Sequence, residues 1–298
     1  MSLFFYFIVF LFGLIVGSFL NCVIYRLALP SNSEGGRRKS IFFALPNFSL
    51  KNLGGLKNRS YCPHCKHLLS WQDLIPVFSF MFLKGKCRYC QKPISLQYPI
   101  VEISTGLMFL LIFNFQFLML NEFSIRFTFD FSEFSIFNFL NLIYYWTIAS
   151  FLIVIFVYDL KHYIIPDQVI YPAILVSGIW YLVSGIFFNL YTLDTIYSAV
   201  GAAAFFLVIV LISRGKWMGV GDIKLAFFMG LVLSWPNILL ALFLAFFIGA
   251  TVGVGLIISN KKTLKSEIPF GPFLVTGTFL ALFWGNELIS WYQALFLL

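Results

Sequence analysis

The sequence predicts an all-α membrane protein that crosses the bilayer about eight times and carries a small cytoplasmic insert between its first two helices. Of the 298 residues, 60% are hydrophobic and only 11% are charged, whereas soluble domains contain roughly 25% charged residues. Apolar stretches of about 20 residues, the length that spans a bilayer, recur from one end of the chain to the other. A water-soluble fold does not fit this composition.

Eight apolar stretches are predicted to be membrane spans. The sixth and seventh are separated at Trp235-Pro236-Asn237, because the apolar region around this turn signal is too long for one span and about right for two. The first span is expected to be retained, since it lacks the basic start and the small-residue cleavage pattern of a signal peptide. The predicted spans are residues 3–25, 99–120, 137–158, 169–188, 196–212, 223–235, 238–258 and 272–297.

The basic residues predict the orientation of these spans. With eight spans and the N-terminus outside, 19 of the 20 Lys and Arg residues fall in cytoplasmic loops or at cytoplasmic helix ends, and only Arg126 falls outside. This asymmetry follows the positive-inside rule of membrane proteins. It also explains the net charge of +8, so the charge does not indicate a nucleic-acid partner, and the expected surroundings are the lipid bilayer.

The one long polar interval, residues 28–97, is predicted to be a zinc-binding insert in the cytoplasm. It contains two C-x2-C pairs separated by 21 residues, which is the spacing of structural zinc sites built from two tight turns. A segment this small buries too little apolar surface to fold unaided, so a metal supplies the missing free energy. The predicted ligands are Cys62, Cys65, Cys87 and Cys90.

Two other interpretations of these cysteines remain open. Two disulfides would use the same four residues, although the predicted cytoplasmic location disfavours them. Alternatively, His64 or His67 replaces one thiolate in the metal site. A closed four-ligand site leaves no position for a substrate, so the metal is expected to have a structural role. Cys22 lies inside the first span and is expected to be a packed apolar residue.

Two aspartates at the predicted cytoplasmic ends of spans are the candidate catalytic residues. Asp159 ends the third span and Asp222 begins the sixth, so the topology brings both to the same side and to a similar depth. Acids in or beside a membrane span are costly and call for an explanation. If the two spans pack together, the carboxyls share one proton and hydrolyse an amide bond through an activated water, as in aspartic proteases.

Residues next to these acids are predicted to support the site. Gly219 and Gly221 let a substrate strand approach the backbone beside Asp222, and they tolerate unusual backbone angles. Pro166 ends the helical tendency before the fourth span. Asp167 follows it and is expected to be the N-cap of that span.

The residues alone leave two competing interpretations. In the first, Asp159 and Asp222 are solvated interfacial residues paired with Lys161 and Lys224. In the second, the protein is a membrane transporter or scaffold whose intramembrane acids bind ions or protons. The transporter interpretation expects charges near the middle of the membrane, whereas both aspartates are predicted at its cytoplasmic edge.

Six stretches, in this order, resemble the bacterial prepilin peptidase family, the GxGD-type aspartyl proteases that process type IV prepilins and type II secretion pseudopilins. No stretch is decisive alone, but their order across eight spans is specific. The stretches are Gly17-Ser18-Phe19-Leu20-Asn21 with Arg26 and Pro30; Trp71-Gln72-Asp73-Leu74-Ile75-Pro76 with Gly85-Lys86-Cys87-Arg88; Tyr98-Pro99-Ile100-Val101-Glu102; Tyr158-Asp159 with Pro166-Asp167; Gly219-Val220-Gly221-Asp222-Ile223-Lys224-Leu225; and Ile268-Pro269-Phe270-Gly271-Pro272-Phe273.

The resemblance implies the following activity and site. Prepilins or pseudopilins are cleaved after a glycine at the cytoplasmic face of the bacterial inner membrane, and the new N-terminus is methylated with S-adenosylmethionine. The alternative is a peptidase alone, with a structural zinc module. The implied catalytic pair is Asp159 and Asp222, with Gly219, Gly221, Lys224, Pro166 and Asp167 in support.

The expected domain organisation has three parts. Residues 1–27 form the first transmembrane helix, residues 28–97 the zinc-binding insert, and residues 98–298 the transmembrane peptidase domain. By the resemblance, the insert is associated with methyl transfer. The sequence does not indicate the oligomeric state.

Overall fold

The computed structural model of the chain describes residues 3–28, 60–123, 136–188, 193–215, 217–261, 263 and 266–296. Within these ranges the protein is all-helical, which confirms the predicted fold class, and extended pairing is limited to two isolated bridges in the insert. The helices are α1 (Leu3–Leu27), α2 (Phe78–Phe82), α3 (Gln97–Phe123), α4 (Ile136–His162), α5 (Asp167–Phe188), α6 (Leu193–Ser213), α7 (Val220–Leu233), α8 (Asn237–Ile258) and α9 (Gly271–Phe296).

Seven of the described helices are long and apolar enough to cross a membrane: α1, α3, α4, α5, α6, α8 and α9. The remaining predicted span, the sixth, corresponds to α7, which has 14 residues. At a rise of 1.5 Å per residue it is about 21 Å long, against a hydrocarbon core of about 30 Å. The predicted turn between the sixth and seventh spans is confirmed, because α7 ends at Leu233 and α8 begins at Asn237. Arg126, Lys216, Lys262, Lys265 and the first half of the insert lie outside the described residues.

The described residues form two compact units, Met1–Leu110 and Leu111–Leu298. In the first unit, α1 and α3 approach each other closely through glycines. A methyl group added at Gly13 would lie 2.7 Å from Cα of Gly106, and one added at Gly17 would lie 2.7 Å from Cα of Glu102. Small residues of this kind let membrane helices pack backbone against backbone.

The second unit is built from two closely packed helix pairs, α6 with α7 and α8 with α9. Glycines again set the approach, because a methyl group at Gly230 would overlap the backbone of Ala199, and one at Gly277 would overlap the backbone of Ala241. Helix α9 also packs against α4 and α7, and α5 packs against α7. The short helix α7 and the start of α9 are therefore held among the long helices of this unit.

Candidate active site and metal centre

Asp159 lies in the last turn of α4, where its side chain is buried with 4% exposure. Its Oδ2 accepts a hydrogen bond of 3.0 Å from the backbone N–H of Gly271, the first residue of α9. The first N–H groups of a helix have no partner within the helix, and the helix dipole favours a negative charge at this end. The start of α9 therefore holds and stabilises the Asp159 carboxylate.

Asp222 is the third residue of α7, and its side chain is 8% exposed. Its Oδ2 accepts a hydrogen bond of 3.1 Å from the backbone N–H of Gly219, which is the N-cap of α7. A carboxylate that reaches back to the N-cap N–H is one half of a capping box. The same bond fixes the orientation of the Asp222 carboxyl.

The structure brings Asp159 and Asp222 together. Helix α9 packs against both α4 and α7 and binds Asp159 through its first residue, and Gly221, next to Asp222, packs against Ile165 in the loop that follows α4. In each carboxyl, Oδ2 is occupied by a backbone N–H, while Oδ1 makes no hydrogen bond to any residue that the structure describes. Two buried carboxyls with one oxygen fixed and one oxygen available can together hold and activate a water.

Lys224 does not pair with Asp222. Its Nζ lies 2.5 Å from Oδ1 of Asp167 and 4.7 Å from the centre of the Tyr171 ring, so it joins the start of α7 to the first two turns of α5. Lys161 makes no ion pair with any described acid. The interpretation of Asp159 and Asp222 as solvated residues paired with lysines is therefore wrong, since both carboxyls are buried and neither lysine forms an ion pair with them.

The start of α5 differs by one residue from the prediction. Helix α5 begins at Asp167, and the carbonyl oxygen of Pro166 accepts the first helical hydrogen bond, from the backbone N–H of Ile170 at 3.1 Å. Pro166 therefore occupies the N-cap position and Asp167 lies in the first turn. The predicted N-cap role of Asp167 is wrong, because its carboxylate binds Lys224 instead of the backbone.

The two glycines before Asp222 act differently from the prediction. Gly219 has an ordinary extended backbone, with φ −85° and ψ 158°, and Gly221 is helical, so neither uses backbone angles reserved for glycine. A methyl group at Gly221 would lie 3.0 Å from Cβ of Ile165, in the loop between α4 and α5. A methyl group at Gly219 would approach no atom closer than 3.7 Å. Gly221 therefore permits close packing beside Asp222, and Gly219 leaves open space there.

The contact between Gly271 and Asp159 was not predicted from the sequence. A methyl group at Gly271 would lie 2.5 Å from Oδ2 of Asp159. The available signal was the pair Gly271-Pro272 directly before a long apolar stretch, since proline is typical of the first helical turn. That signal marks a helix start, but it does not say which acid the start approaches.

The four cysteines of the insert form one cluster. Their Sγ atoms all lie within 4.8 Å of one another, and those of Cys62 and Cys90 are 3.9 Å apart. A tetrahedral zinc ion with Zn–S bonds of about 2.3 Å places its sulfurs roughly 3.8 Å apart. The thiols are free, so the disulfide interpretation is wrong, and neither His64 nor His67 belongs to the cluster. The donor set fits a metal ion held by four thiolates.

Both C-x2-C pairs adopt the same turn. The backbone N–H of Lys66 donates to the carbonyl oxygen of Cys62 at 2.9 Å, and that of Gln91 donates to Cys87 at 2.9 Å. Lys66 and Gln91 both have left-handed backbones, with φ 60° and 56°. This repetition explains how two short segments present their sulfurs in the same way to one point.

Asp73 connects the segment between the two turns to the second turn. Its carboxylate accepts hydrogen bonds from the backbone N–H and Oγ of Ser70, from Nε of Arg88 at 2.8 Å and from the hydroxyl of Tyr89 at 3.2 Å. Burial raises the pKa of Asp73, but the bonds from Ser70 and the charge of Arg88 outweigh it and hold the pKa below its usual value. The carboxylate is therefore a fixed negative centre in the insert.

Two family profiles match the chain. Residues 11–115 match the Bacterial Peptidase A24 N-terminal domain, and residues 146–254 match the Type IV leader peptidase family. The first range contains the four cysteines, and the second contains both buried aspartates.

Curated relatives match over nearly the whole length. A protein of Aeromonas hydrophila named prepilin leader peptidase/N-methyltransferase is 32% identical, over 97% of this chain and 94% of that protein. Proteins of the same name from Legionella pneumophila and Bacillus subtilis (strain 168) are each 31% identical, the former over 97% of this chain and 94% of its own length, the latter over 96% of both. No solved structure matches the chain.

Proposed function

Because the chain belongs to the type IV leader peptidase family, we propose that it is a prepilin leader peptidase and N-methyltransferase in which Asp159 and Asp222 cut the peptide bond. Relatives named for these two activities match almost the full length of the chain. The observation that carries the peptidase assignment is the burial of two carboxyls within one unit of the fold, each with one oxygen fixed by a backbone N–H.

The proposed chemistry is that of a carboxyl pair that shares one proton. Like charges a few ångströms apart do not both ionise cheaply, so in the proposed pair one carboxyl is ionised and the other is protonated. The ionised carboxyl takes a proton from a water that attacks the carbonyl carbon, and the protonated carboxyl donates to the carbonyl oxygen. When the tetrahedral intermediate collapses, the first carboxyl gives its new proton to the leaving amine as the C–N bond breaks. The second carboxyl regains a proton from a hydroxyl of the intermediate. The pair titrates as a unit, so neither role belongs to one residue alone. The N–H groups of Gly219 and Gly271 occupy Oδ2 of each carboxyl and leave Oδ1 for the reaction.

The proposed substrate is a prepilin or pseudopilin that is cut after a glycine at the cytoplasmic face of the bacterial inner membrane. A basic leader stays in the cytoplasm while the apolar helix that follows lies in the bilayer, so the bond to be cut is at the membrane boundary. Asp159 and Asp222 lie at ends of their helices, which suits such a bond. An ion transporter would need its acids nearer the middle of the membrane. The proposed orientation, with the N-terminus outside, follows from the distribution of Lys and Arg.

The four-cysteine cluster is proposed to hold a structural zinc ion. Four thiolates around one divalent ion complete its coordination, so no position is left for a substrate or a reactive water. The ion would fix the two turns of a segment that is too small to fold on apolar burial alone. Its proposed ligands are Cys62, Cys65, Cys87 and Cys90.

The methyl-transfer activity is supported by the names of the relatives. The proposed donor is S-adenosylmethionine, which would supply an electrophilic methyl group to the new N-terminal amine, with loss of a proton from the amine and release of the demethylated thioether, S-adenosylhomocysteine. No residue of this chain is assigned to bind it. A peptidase that lacks the second activity would release the same mature substrate with an unmodified amine, so the mass of the product distinguishes the two possibilities.

The peptidase assignment is tested with purified full-length protein and a detergent-solubilised prepilin. Asp159→Asn and Asp222→Asn each remove one carboxyl while keeping the shape of the side chain, and each is expected to abolish loss of the leader on a gel. Asp194→Asn is the matched control, because Asp194 is an exposed acid in the first turn of α6. Cleavage by either dyad variant at the rate of the control would contradict the assignment.

A further inference from the structure

The insert exposes a concentrated set of large apolar side chains between its two cysteine turns. This set, here called the apolar edge, lies on the 3-10 turn Trp71–Leu74 and on α2. Trp71 is 73% exposed and Phe82 is 83% exposed. On α2 the exposed residues are spaced i, i+3 and i+4, which places them on one face of the helix. The apolar edge consists of Trp71, Leu74, Phe78, Met81 and Phe82.

The apolar edge is tied to the start of a membrane helix. The backbone N–H of Val77, between the 3-10 turn and α2, donates a hydrogen bond of 2.7 Å to Oε2 of Glu102, and Glu102 is buried in α3. Helix α3 begins at Gln97, so Glu102 lies only about 7 to 8 Å along the helix axis from its start. An amphipathic element at the membrane interface is buried to a similar extent, roughly 5 to 10 Å into the boundary between headgroups and acyl chains. The position of Glu102 along α3 therefore fits an apolar edge that lies in this interface.

The backbone at Val77 is held in an unusual conformation. Its φ is 60°, a region that a β-branched residue rarely adopts and that persists only where the surroundings enforce it. The carboxylate of Glu102 supplies that restraint through the bond to the Val77 N–H. The connection between the apolar edge and α3 is therefore a defined contact of the fold and not a chance approach of a loop.

The charges and neighbours of the apolar edge fit a lipid surface. The acid within this segment, Asp73, is turned into its hydrogen bonds with Ser70 and Arg88 and has a side-chain exposure of 4%. Exposed Lys84 and Lys86 follow α2 directly. Leu96, just before α3, and Ile100 and Ile103 in its first turns continue the apolar exposure. Exposed aromatic residues beside lysines are typical of segments that lie on a membrane with anionic lipids.

We propose that residues 71–82 lie in the interface of the membrane leaflet next to the insert, with the apolar edge among the upper acyl chains and the adjacent lysines at anionic headgroups. An exposed apolar set of this kind marks an interaction surface. Its continuity with the lipid-facing side of α3 selects lipid as the partner. Residues 71–82 link the two cysteine turns. The proposed zinc site is therefore held at the membrane surface by the segment between its two halves. This inference does not depend on the identity of the catalytic residues.

The inference is tested by photo-cross-linking in the full-length protein. Phe82→p-benzoylphenylalanine and, separately, Trp71→p-benzoylphenylalanine place a photoreactive group on the apolar edge. The matched control is Gln91→p-benzoylphenylalanine, since Gln91 is exposed on the second cysteine turn outside the apolar edge. Each variant is reconstituted in vesicles of phosphatidylethanolamine and phosphatidylglycerol and irradiated, and its adducts are identified by mass spectrometry. Equal metal content shows that the insert is folded in all three.

Lipid adducts at positions 71 and 82 are expected to exceed those at position 91 by at least about fivefold, as for a group in contact with acyl chains. Equal lipid labelling at all three positions would overturn the inference. So would adducts at 71 and 82 that map to residues 29–59 of the same chain or to a second copy, because the apolar edge would then be covered by protein.

Discussion

The backbone N–H of Gly271 donates a hydrogen bond of 3.0 Å to Oδ2 of Asp159, although the two residues are 112 positions apart in the chain. The bond joins the first residue of α9 to the last turn of α4. It gives a partner to one of the N–H groups that a helix leaves unpaired at its start. The orientation of one proposed catalytic carboxyl therefore depends on a residue that has no side chain.

Gly271→Ala is expected to lower the rate of prepilin cleavage by roughly 10²-fold, because a displacement of about 1 Å at a catalytic group has an effect of this size. The added methyl group would lie 2.5 Å from Oδ2 of Asp159 and would push the carboxyl away. The measurement is kcat/KM for leader removal. Gly178→Ala is the control, since a methyl group there has no neighbour within 4 Å, and equal activity of the two variants would exclude the positioning role of Gly271.

The pair of Asp167 and Lys224 is expected to couple α5 to the start of α7, two residues from Asp222. Asp167→Asn and Lys224→Gln should each lower kcat/KM by a few-fold. Their coupling in a double-mutant cycle should stay below about 1 kcal/mol, because the Asp167 side chain is 61% exposed and water screens the pair. If the effects of the two substitutions on kcat/KM simply add in the double variant, the ion pair does not couple the two residues.

Removal of the metal is expected to destabilise the insert more strongly than it lowers the rate of peptide cleavage. Cys87→Ser should lower the zinc content from one ion per chain toward none and make the insert sensitive to protease, because bound metal supplies the folding free energy of such a site. Methylation of the product should fall more than leader removal. Elemental analysis and product masses measure both effects. Cys22→Ser is the control, since Cys22 lies in α1 outside the cluster of four cysteines. An equal zinc content in the two variants would contradict the proposed ligands.

Asp73 is expected to control how long the insert keeps its metal. Asp73→Ala leaves the donors of Ser70, Arg88 and Tyr89 without their shared acceptor, and each lost hydrogen bond of this kind contributes about 0.5 to 1.5 kcal/mol. The variant should release zinc to a coloured chelator faster than the unchanged protein. Gln72→Ala is the neighbouring control, because Gln72 makes a single long contact of 3.4 Å with Arg88. Release at the same rate from both variants would show that the Asp73 network does not hold the two turns.

Hydropathy and cysteine spacing were sufficient to predict the long helices and the cluster of four cysteines. Apolar stretches of bilayer length report directly on burial in lipid, and all of the predicted spans are helices in the structure, with α7 as the short one. The spacing of Cys62, Cys65, Cys87 and Cys90 predicted a cluster because tight turns have few conformations. The Lys and Arg distribution predicted an orientation, which the structure does not test.

Contacts between distant elements were not predictable in the same way. A sequence does not say which acid the start of α9 approaches, so the bond from Gly271 to Asp159 was missed. Lys224 was paired with Asp222 in one interpretation because the two are neighbours in the chain, yet the packing of α5 against α7 brings it to Asp167. Position 221 favours a glycine because Ile165 lies close to it, and not because its backbone angles require one.

The most direct test of the proposed chemistry is an experimental structure of the full-length protein with a peptide analogue that carries a hydroxyl group in place of the scissile carbonyl. The account predicts that this hydroxyl lies within hydrogen-bond distance of the carboxyls of both Asp159 and Asp222, with the bonds from Gly271 and Gly219 retained. An analogue bound with its hydroxyl against only one of these carboxyls, or away from both, would contradict it.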